Sequence, residues 1–200
     1  MRCLIIMVMK NKILAKLPNQ NFLTCSSEVK YIMDYTNQTK NIKRLEWSAI
    51  KPTDIDAFTI KKEVALDITF CPFKENTIKI EGISTEHTHC EGMLFPTTNN
   101  DDTWLLLLEL KYPKFKNLGE HLKEAKDQLF KTLDLFRQQG IIKHNKLVYL
   151  ISSAPKYTIR IPFNNFSMTS EELKLIRKEK KAIVKCTNEI IILNENKLKV

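Results

Sequence analysis

A run of apolar residues at positions 104–112 constrains the fold more than any other part of the chain. It reads Trp-Leu-Leu-Leu-Leu-Glu-Leu-Lys-Tyr, with apolar side chains on both faces of any strand it forms. A strand that is apolar on both faces lies inside a sheet that is covered on both sides. Pro113 follows it, and proline lacks the N–H that a strand ladder needs. The run therefore predicts a central, covered strand that ends at Pro113.

Two charged residues interrupt this apolar strand. Glu109 and Lys111 stand two positions apart, and because side chains alternate across a strand, both project from the same face. Burying a carboxylate and an ammonium is unfavourable unless they pair with each other or hold a ligand. The pair is therefore a candidate functional site, and an ordinary ion pair is the alternative interpretation.

The neighbouring sequence predicts more strands and one long helix. Alternating or apolar runs indicate strands at residues 77–83, 87–95, 104–112 and 146–151. Apolar residues at helical spacing predict a helix over about residues 118–139, with Gly140 as its stop. We expect an α/β fold: a mixed sheet of about four core strands flanked by helices.

The two flanks of this core carry weaker patterns. Ser26 and Ser27 are suited to cap a helix that begins near Val29, because short hydroxyl side chains accept the backbone N–H groups of a first turn. Residues 65–70 look like a strand. The C-terminal part predicts a strand at residues 157–163, a helix from Thr169 or Ser170 to about residue 184, and a last strand at residues 189–193.

The length of 200 residues fits one domain with a sizeable core. We divide it into an N-terminal extension, a core and a C-terminal addition, at residues 1–75, 76–154 and 155–200. The five cysteines are scattered without a CxxC pair, which indicates reduced thiols and a cytoplasmic location. The apolar N-terminus is too short for a membrane span. The net charge of +9 fits a nucleic-acid partner, although a lysine-rich composition gives the same charge without one.

The order of these elements resembles the PD-(D/E)xK nuclease superfamily, which has the restriction-endonuclease-like fold. The resemblance covers residues 76–154: a strand, a strand with an acid, a strand with Glu-x-Lys, a long helix and a strand. Glu91 takes the place of the family's first acid, which is more often Asp, and Glu109-Leu110-Lys111 matches the (D/E)xK element. The resemblance implies a nuclease that uses Mg²⁺ or Mn²⁺, with DNA as the favoured substrate, and leaves a homodimer open.

The chemistry of phosphodiester hydrolysis supports the same residues independently. The reaction uses a hard cation held by oxygen ligands. Glu91 and Glu109, on adjacent strands, supply two carboxylates, and the carbonyl of Leu110 lies beside them. Lys111 is then suited to position the attacking water or to neutralise charge that develops on the phosphate. The alternative is a non-catalytic nucleic-acid-binding or protein-interaction module with the same fold.

Two further features follow from the resemblance. Several branches of the superfamily place a glutamine on the helix after the (D/E)xK strand. Gln128 stands at the edge of the apolar stripe, as does His121, so we assign Gln128 to the catalytic set, with a solvent-facing glutamine as the alternative. An acid from an upstream helix is also common in the superfamily, and Glu28 and Glu63 are the candidates.

A competing metal site is visible just before the first acid. On a continuous strand, His87, His89 and Glu91 point to one face, and two imidazoles with a carboxylate suit Zn²⁺, Mn²⁺ or Fe²⁺. Such a site predicts a metal-dependent hydrolase of small molecules. An exposed polar strand is the simpler interpretation. Cys90 is expected to face the core.

Overall fold

The described part of the chain forms three α-helices and thirteen strands. A computed structural model describes residues 8–39, 44–73, 77–78, 87–98, 100–157 and 168–200. The helices are α1 (Val8–Lys16), α2 (Leu118–Gln138) and α3 (Ser170–Glu179). The strands are β1 (Leu23–Cys25), β2 (Val29–Asp34), β3 (Leu45–Ser48), β4 (Phe58–Lys62), β5 (Ile68–Pro72), β6 (Thr77–Ile78), β7 (His87–Thr88), β8 (Gly92–Pro96), β9 (Leu105–Leu110), β10 (Val148–Ser153), β11 (Ala182–Cys186), β12 (Glu189–Asn194) and β13 (Lys197–Lys199).

A mixed sheet of six strands organises the fold. Its order is β1-β5-β8-β9-β10-β11. The pairs from β1 to β9 are antiparallel, whereas β9, β10 and β11 run parallel. Helix α2 lies in the crossover from β9 to β10, which a parallel pair requires. The structure confirms the mixed α/β class. Three of the four expected strands lie in this sheet, as β8, β9 and β10, and β1, β5 and β11 complete it.

The central strand β9 is buried on both faces, as its leucine run predicts. Leu105 and Leu107 face a core that α1 and α2 cover. Leu106 and Leu108 face a second core on the other side. All four side chains are fully buried. Because burial of one such side chain is worth about 1.5–3 kcal/mol, this strand contributes strongly to the sheet.

A second mixed sheet covers the other face of the central one. Its order is β13-β12-β4-β2-β3, with β4 and β12 parallel. Trp47 of this sheet stacks on Phe70 of β5 with ring centroids 5.3 Å apart. Ile32, Phe58 and Ile60 are among the side chains that complete this second core. The protein is therefore layered, with helices on one face of the central sheet and a sheet on the other.

Helix boundaries follow the chemistry of their ends. Helix α2 matches the predicted span, and Gly140 beyond it has a φ of 72°, which a glycine adopts without strain. Helix α3 begins with a capping box between Thr169 and Glu172. It ends at Glu179, earlier than predicted, because Ala182–Cys186 pairs with β10 instead. Among the described helices none is long and apolar enough to cross a membrane.

Residues 29–34 form strand β2, so the helix predicted there is wrong. β2 pairs with β3 on one side and β4 on the other. Val29, Tyr31 and Ile32 are β-branched or aromatic and fit a pleated, half-buried surface. Tertiary pairing therefore prevails over the serine caps that precede this segment.

The strand that pairs with β8 on the side away from β9 is not the one predicted, at residues 77–83. β5 takes that place, in the segment that the sequence marked as strand-like. Thr77–Ile78 pairs with β7 in a separate two-stranded sheet, and the rest of the strand predicted at residues 77–83 lies outside the described residues. So does most of the strand predicted at residues 157–163. The central sheet thus takes β1, β5 and β11 from the segments assigned to the flanks.

Candidate active site

A cleft of about 410 Å³ opens where β9 ends. The second sheet, the segment before β8, the end of β9 and the start of α2 all contribute to its wall. Its lining residues are Asp34, Thr36, Glu91, Leu110, Lys111, Tyr112, Pro113, His121 and Glu124. The cleft therefore gathers charged side chains from four elements at one end of the central sheet.

The Glu109–Lys111 pair reaches this cleft through Lys111. The carboxylate of Glu109 is 1% exposed, and its Oε1 is 2.8 Å from Nζ of Lys111. Glu109 continues the alternation of Leu105 and Leu107, so it lies on the face that α2 covers. The structure confirms that the two charges share a face and pair. Lys111 extends the pair to the cleft, which it lines.

Gln128 of α2 holds the same ammonium. Lys111 donates from Nζ to Oε1 of Gln128 at 2.8 Å. The backbone carbonyl of Gln128 accepts from Thr132 Oγ1, and Thr132 Oγ1 accepts from the N–H of Cys90 at 2.9 Å. Helix α2 is therefore bonded both to Lys111 and to the segment that carries Glu91. Gln128 therefore contacts Lys111 through its side chain, and its assignment to the catalytic set stays a prediction.

Glu91 lies in the bend just before β8 rather than inside the strand. Its N–H donates to Leu108 of β9 and its carbonyl accepts from Phe73, both at 2.9 Å. In a regular antiparallel strand, one residue exchanges both bonds with the same neighbour. The alternation is thus broken at Glu91, and the prediction of a continuous strand over residues 87–95 is wrong. Glu91 nevertheless lines the cleft beside the end of β9.

Gly92, the first residue of β8, packs tightly against β5. A Cβ at this position would stand 2.5 Å from the ring of Phe70 and 2.8 Å from the carbonyl oxygen of Cys71. These distances are shorter than any ordinary contact between heavy atoms. A side chain at position 92 would therefore collide with β5, and glycine allows the two strands to approach next to Glu91.

Ser152 adds a buried polar group next to Glu109. The parallel register of β9 and β10 places Ser152 directly beside Glu109. Ser152 is fully buried, and its hydroxyl has no hydrogen-bond partner among the described residues. Buried hydroxyls are nearly always satisfied, so an exception asks for an explanation such as a water or an ion. Sequence reasoning missed this residue because its partner strand is set by tertiary pairing.

The donor set fits a hard divalent cation. Mg²⁺ prefers oxygen ligands and is usually bound through one or two carboxylates together with waters and substrate phosphates. Glu91 and Leu110 line the cleft, and Glu109 and Ser152 lie side by side on β9 and β10. The described residues include no group of three His, Cys, Asp or Glu side chains that encloses a metal. These residues offer carboxylate, hydroxyl and carbonyl oxygens, the ligand type that Mg²⁺ and Mn²⁺ prefer.

The alternative metal site, formed by His87, His89 and Glu91, required a continuous strand that the structure does not have. Residues 89–91 belong neither to β7 nor to β8, so the strand that would align His87, His89 and Glu91 is interrupted. His89 is buried, its Nδ1 is 2.6 Å from the carbonyl oxygen of Cys90, and its ring meets Phe73 edge-on. The side chain of His87 lies outside the described residues. Cys90 is buried, as expected.

Asp34 is the acid that the N-terminal part brings to the cleft. It ends β2, and its N–H donates to the hydroxyl of Tyr112 at 3.4 Å. That hydroxyl donates to the carbonyl of Asp56, and burial raises the pKa of Tyr112.

The two acids that the sequence offered for this place, Glu28 and Glu63, lie elsewhere. Both flank the other end of the β2–β4 pair, away from the cleft. Asp34 is brought to the cleft by long-range strand pairing, which the local sequence does not show.

His121 and Glu124 face each other on the first turns of α2. His121 Nδ1 is 3.5 Å from Oε2 of Glu124, and both side chains are partly exposed in the cleft wall. The helical spacing of three residues brings them together. They give the cleft a second polar pair opposite the end of β9.

Comparison with known proteins adds no relative to this picture: no protein-family model, no curated protein and no solved structure matches the chain. The geometry around Lys111 is therefore the observation from which a function is inferred. The Glu109 carboxylate and the Gln128 amide oxygen both contact the Lys111 ammonium, and Glu91, from the bend before β8, lines the same cleft as Lys111.

Proposed function

We propose that this protein is a divalent-metal-dependent nuclease that hydrolyses phosphodiester bonds, with DNA as its substrate. One observation carries the proposal. The ammonium of Lys111 is held between the carboxylate of Glu109 and the amide oxygen of Gln128, and Lys111 lines the same cleft as Glu91. Paired acids, a lysine and a polar helix residue at the end of a central strand suit phosphoryl chemistry.

The order of elements around the site supports the proposal. Helix α1 precedes three antiparallel neighbours, β5, β8 and β9, and helix α2 then leads to the parallel strand β10. This order resembles the core of the PD-(D/E)xK nuclease superfamily and its restriction-endonuclease-like fold. The long third strand ending in Glu-Leu-Lys and the helix that follows it take the same places in both.

Each residue of the site has a distinct role. Glu91 and Glu109, with the carbonyl of Leu110, would hold Mg²⁺ or Mn²⁺. When bound, such a cation polarises the phosphoryl oxygen and lowers the pKa of a coordinated water. Lys111 holds the attacking water or offsets the negative charge that grows on the phosphate in the transition state.

Gln128 and the buried environment set the position of Lys111. Gln128 accepts one hydrogen bond of the ammonium and Glu109 accepts another. Two fixed acceptors restrict the rotamers of a long, flexible side chain, so its remaining N–H is aimed before substrate arrives. The net charge of +9 attracts the polyanionic substrate.

A plasmid-nicking assay tests the proposal. We expect the wild-type protein to nick DNA with Mg²⁺ or Mn²⁺ and to lose this activity in EDTA. The variants Glu109→Gln and Lys111→Met should each lower the rate by about a hundredfold or more, as expected for groups that act on the transition state. Glu120→Gln is the matched control, because Glu120 is an exposed acid on the first turn of α2. Undiminished nicking by Glu109→Gln/Lys111→Met would remove these residues from the mechanism.

The competing function is a non-catalytic nucleic-acid-binding module. The same ion pair favours it, since Glu109 already has a cationic partner at 2.8 Å. This function predicts DNA binding that weakens steeply with salt and no cleavage with any divalent metal. The nicking assay and a binding titration on the same preparation separate the two functions.

A further inference from the structure

An exposed aromatic side chain stands beside the cleft. Phe115 lies in the short turn Phe115–Asn117 that precedes α2, and it is 69% exposed. Its ring is 5.8 Å from the ring of Tyr157, with the two planes tilted by 58°. Large aromatic side chains are usually buried deeply, so one this exposed is informative. Phe115 and Tyr157 are called the aromatic pair below.

The aromatic pair is anchored to the wall of the cleft. The hydroxyl of Tyr157 donates to the carbonyl of Pro113 at 2.7 Å, and Pro113 lines the cleft. From the other side, Asn188 Nδ2 donates to the carbonyl of Tyr157, also at 2.7 Å. Tyr157 is therefore bonded on two sides, to Pro113 of the cleft wall and to Asn188, and Phe115 packs against its ring.

Positive charge surrounds the aromatic pair. Lys114 and Lys116 flank Phe115, Lys156 precedes Tyr157, and all three lysines are exposed. Lysines that neutralise phosphates next to rings that accept bases are the usual composition of single-strand binding surfaces. In a duplex the faces of the bases are already covered by their neighbours, so only an unpaired base offers a face to Phe115.

We propose that the aromatic pair is a stacking platform for an unpaired base of DNA, whose phosphates the three lysines contact. The inference deepens the proposed nuclease function, on which it rests, by naming DNA with an unpaired base, single-stranded or locally opened, as the substrate class. A base stacked on Phe115 places the adjoining backbone at Pro113, from which the cleft leads to Lys111.

Two oligonucleotides of equal charge test this stacking. An oligothymidine of about twelve nucleotides, within the site sizes of single-strand binders, is compared with an abasic oligomer of the same length. Binding is followed by fluorescence anisotropy in EDTA, so that no cleavage interferes. The variants are Phe115→Ala, Phe115→Trp and the control Ile50→Ala, since Ile50 is an apolar side chain 79% exposed that does not line the cleft.

We expect wild-type protein to bind the oligothymidine roughly five- to a hundredfold more tightly than the abasic oligomer, the range for one stacked base. Phe115→Ala should abolish this preference, while Phe115→Trp and Ile50→Ala should retain it. Equal binding of the two oligomers by the wild type, or an unchanged preference in Phe115→Ala, overturns the platform.

The platform and the nuclease fail in different ways. A protein that nicks duplex plasmid but shows no preference for bases over abasic sites keeps the nuclease function and loses the platform. A protein that shows the preference but cleaves neither plasmid nor single strands with Mg²⁺ or Mn²⁺ keeps the platform and loses the nuclease function.

Discussion

Glu109 and Lys111 form an asymmetric ion pair at the end of β9. Their charged atoms are 2.8 Å apart, yet the carboxylate side chain is 1% exposed and the lysine side chain 18% exposed. Water therefore compensates the lysine far better than the glutamate. Because an uncompensated buried charge is costly, the carboxylate depends on Lys111 more than Lys111 depends on the carboxylate.

Replacing the lysine should expose this dependence. Lys111→Met removes the cation and leaves the buried Glu109 carboxylate, so we expect a loss of about 2–4 kcal/mol in the free energy of unfolding near neutral pH. The double variant Glu109→Gln/Lys111→Met removes the buried carboxylate together with its cation, and about half of that loss should be recovered. Urea unfolding followed by circular dichroism measures both.

An exposed ion pair provides the control. Lys180 Nζ is 3.1 Å from Asp134 Oδ2, and both side chains are largely exposed. Lys180→Met should cost no more than about 1 kcal/mol, as is usual at a surface. Equal losses in Lys111→Met and Lys180→Met would show that Glu109 is well compensated without its lysine.

Ser152 and Ser153 are expected to respond in opposite directions. The buried hydroxyl of Ser152 has no hydrogen-bond partner among the described residues, so Ser152→Ala should leave stability unchanged or raise it by up to about 1 kcal/mol. The hydroxyl of Ser153 donates to Asn188 Oδ1 at 2.8 Å. Ser153→Ala should therefore cost about 1 kcal/mol. Thermal unfolding of the two variants measures the contrast.

Cleavage rates complete this comparison. If Ser152 contacts a water or an ion beside Glu109, Ser152→Ala lowers the nicking rate although its stability is intact, while Ser153→Ala does not. A clear loss of stability in Ser152→Ala would instead mean that the hydroxyl is satisfied within the fold.

The parts of the fold that local pattern determines were predictable. The leucines of β9 are apolar on both faces, and α2 has an apolar stripe and a glycine stop, so each element carries its own signal. Val29 to Asp34 shows the opposite case. Its serine caps favour a helix locally, but two flanking strands, β3 and β4, supply backbone partners that no local pattern reveals.

The candidate site was predictable where strand alternation holds and not where it breaks. Glu109 and Lys111 obey the alternation of β9, and they pair as predicted. Glu91 lies in a bend outside β8, so the continuous strand that was expected to align it with His87 and His89 is interrupted at residues 89–91. Asp34 and Ser152 reach the site through pairing between strands that are distant in sequence. Local patterns in a single sequence do not show which distant strands pair.

Gln128 should affect catalysis more than stability. Gln128→Leu keeps the helix but removes an acceptor of the Lys111 ammonium, so the lysine samples more rotamers. We expect the nicking rate at saturating DNA to fall about ten- to a hundredfold, as for residues that orient a catalytic group, with little change in DNA affinity. Gln138→Leu, at the exposed end of the same helix, is the control. Equal rates in both variants would assign Gln128 a surface role.

Asp101 should make stability depend on acid pH. Its Oδ2 lies 2.7 Å from Lys12 Nζ and 2.8 Å from Lys143 Nζ. Burial raises the pKa of Asp101, but the hydrogen bonds from these lysines outweigh burial and lower the pKa to about 2. Since an unfolded aspartate titrates near about 4, the carboxylate stabilises the fold above that pH, and its contribution is lost as the pH falls towards about 2.

Asp101→Asn should therefore be less stable than wild type by about 1–2 kcal/mol near neutral pH, because two charge-assisted hydrogen bonds are weakened. The difference should shrink below about pH 4 and be largely lost as the pH falls through about 2, where the wild-type carboxylate itself becomes protonated. Urea unfolding at a series of pH values measures it, with the exposed neighbour Asp102→Asn as control. A difference that stays constant from neutral pH to about pH 2 would mean that the Asp101 charge does not hold Lys12 of α1 against this loop.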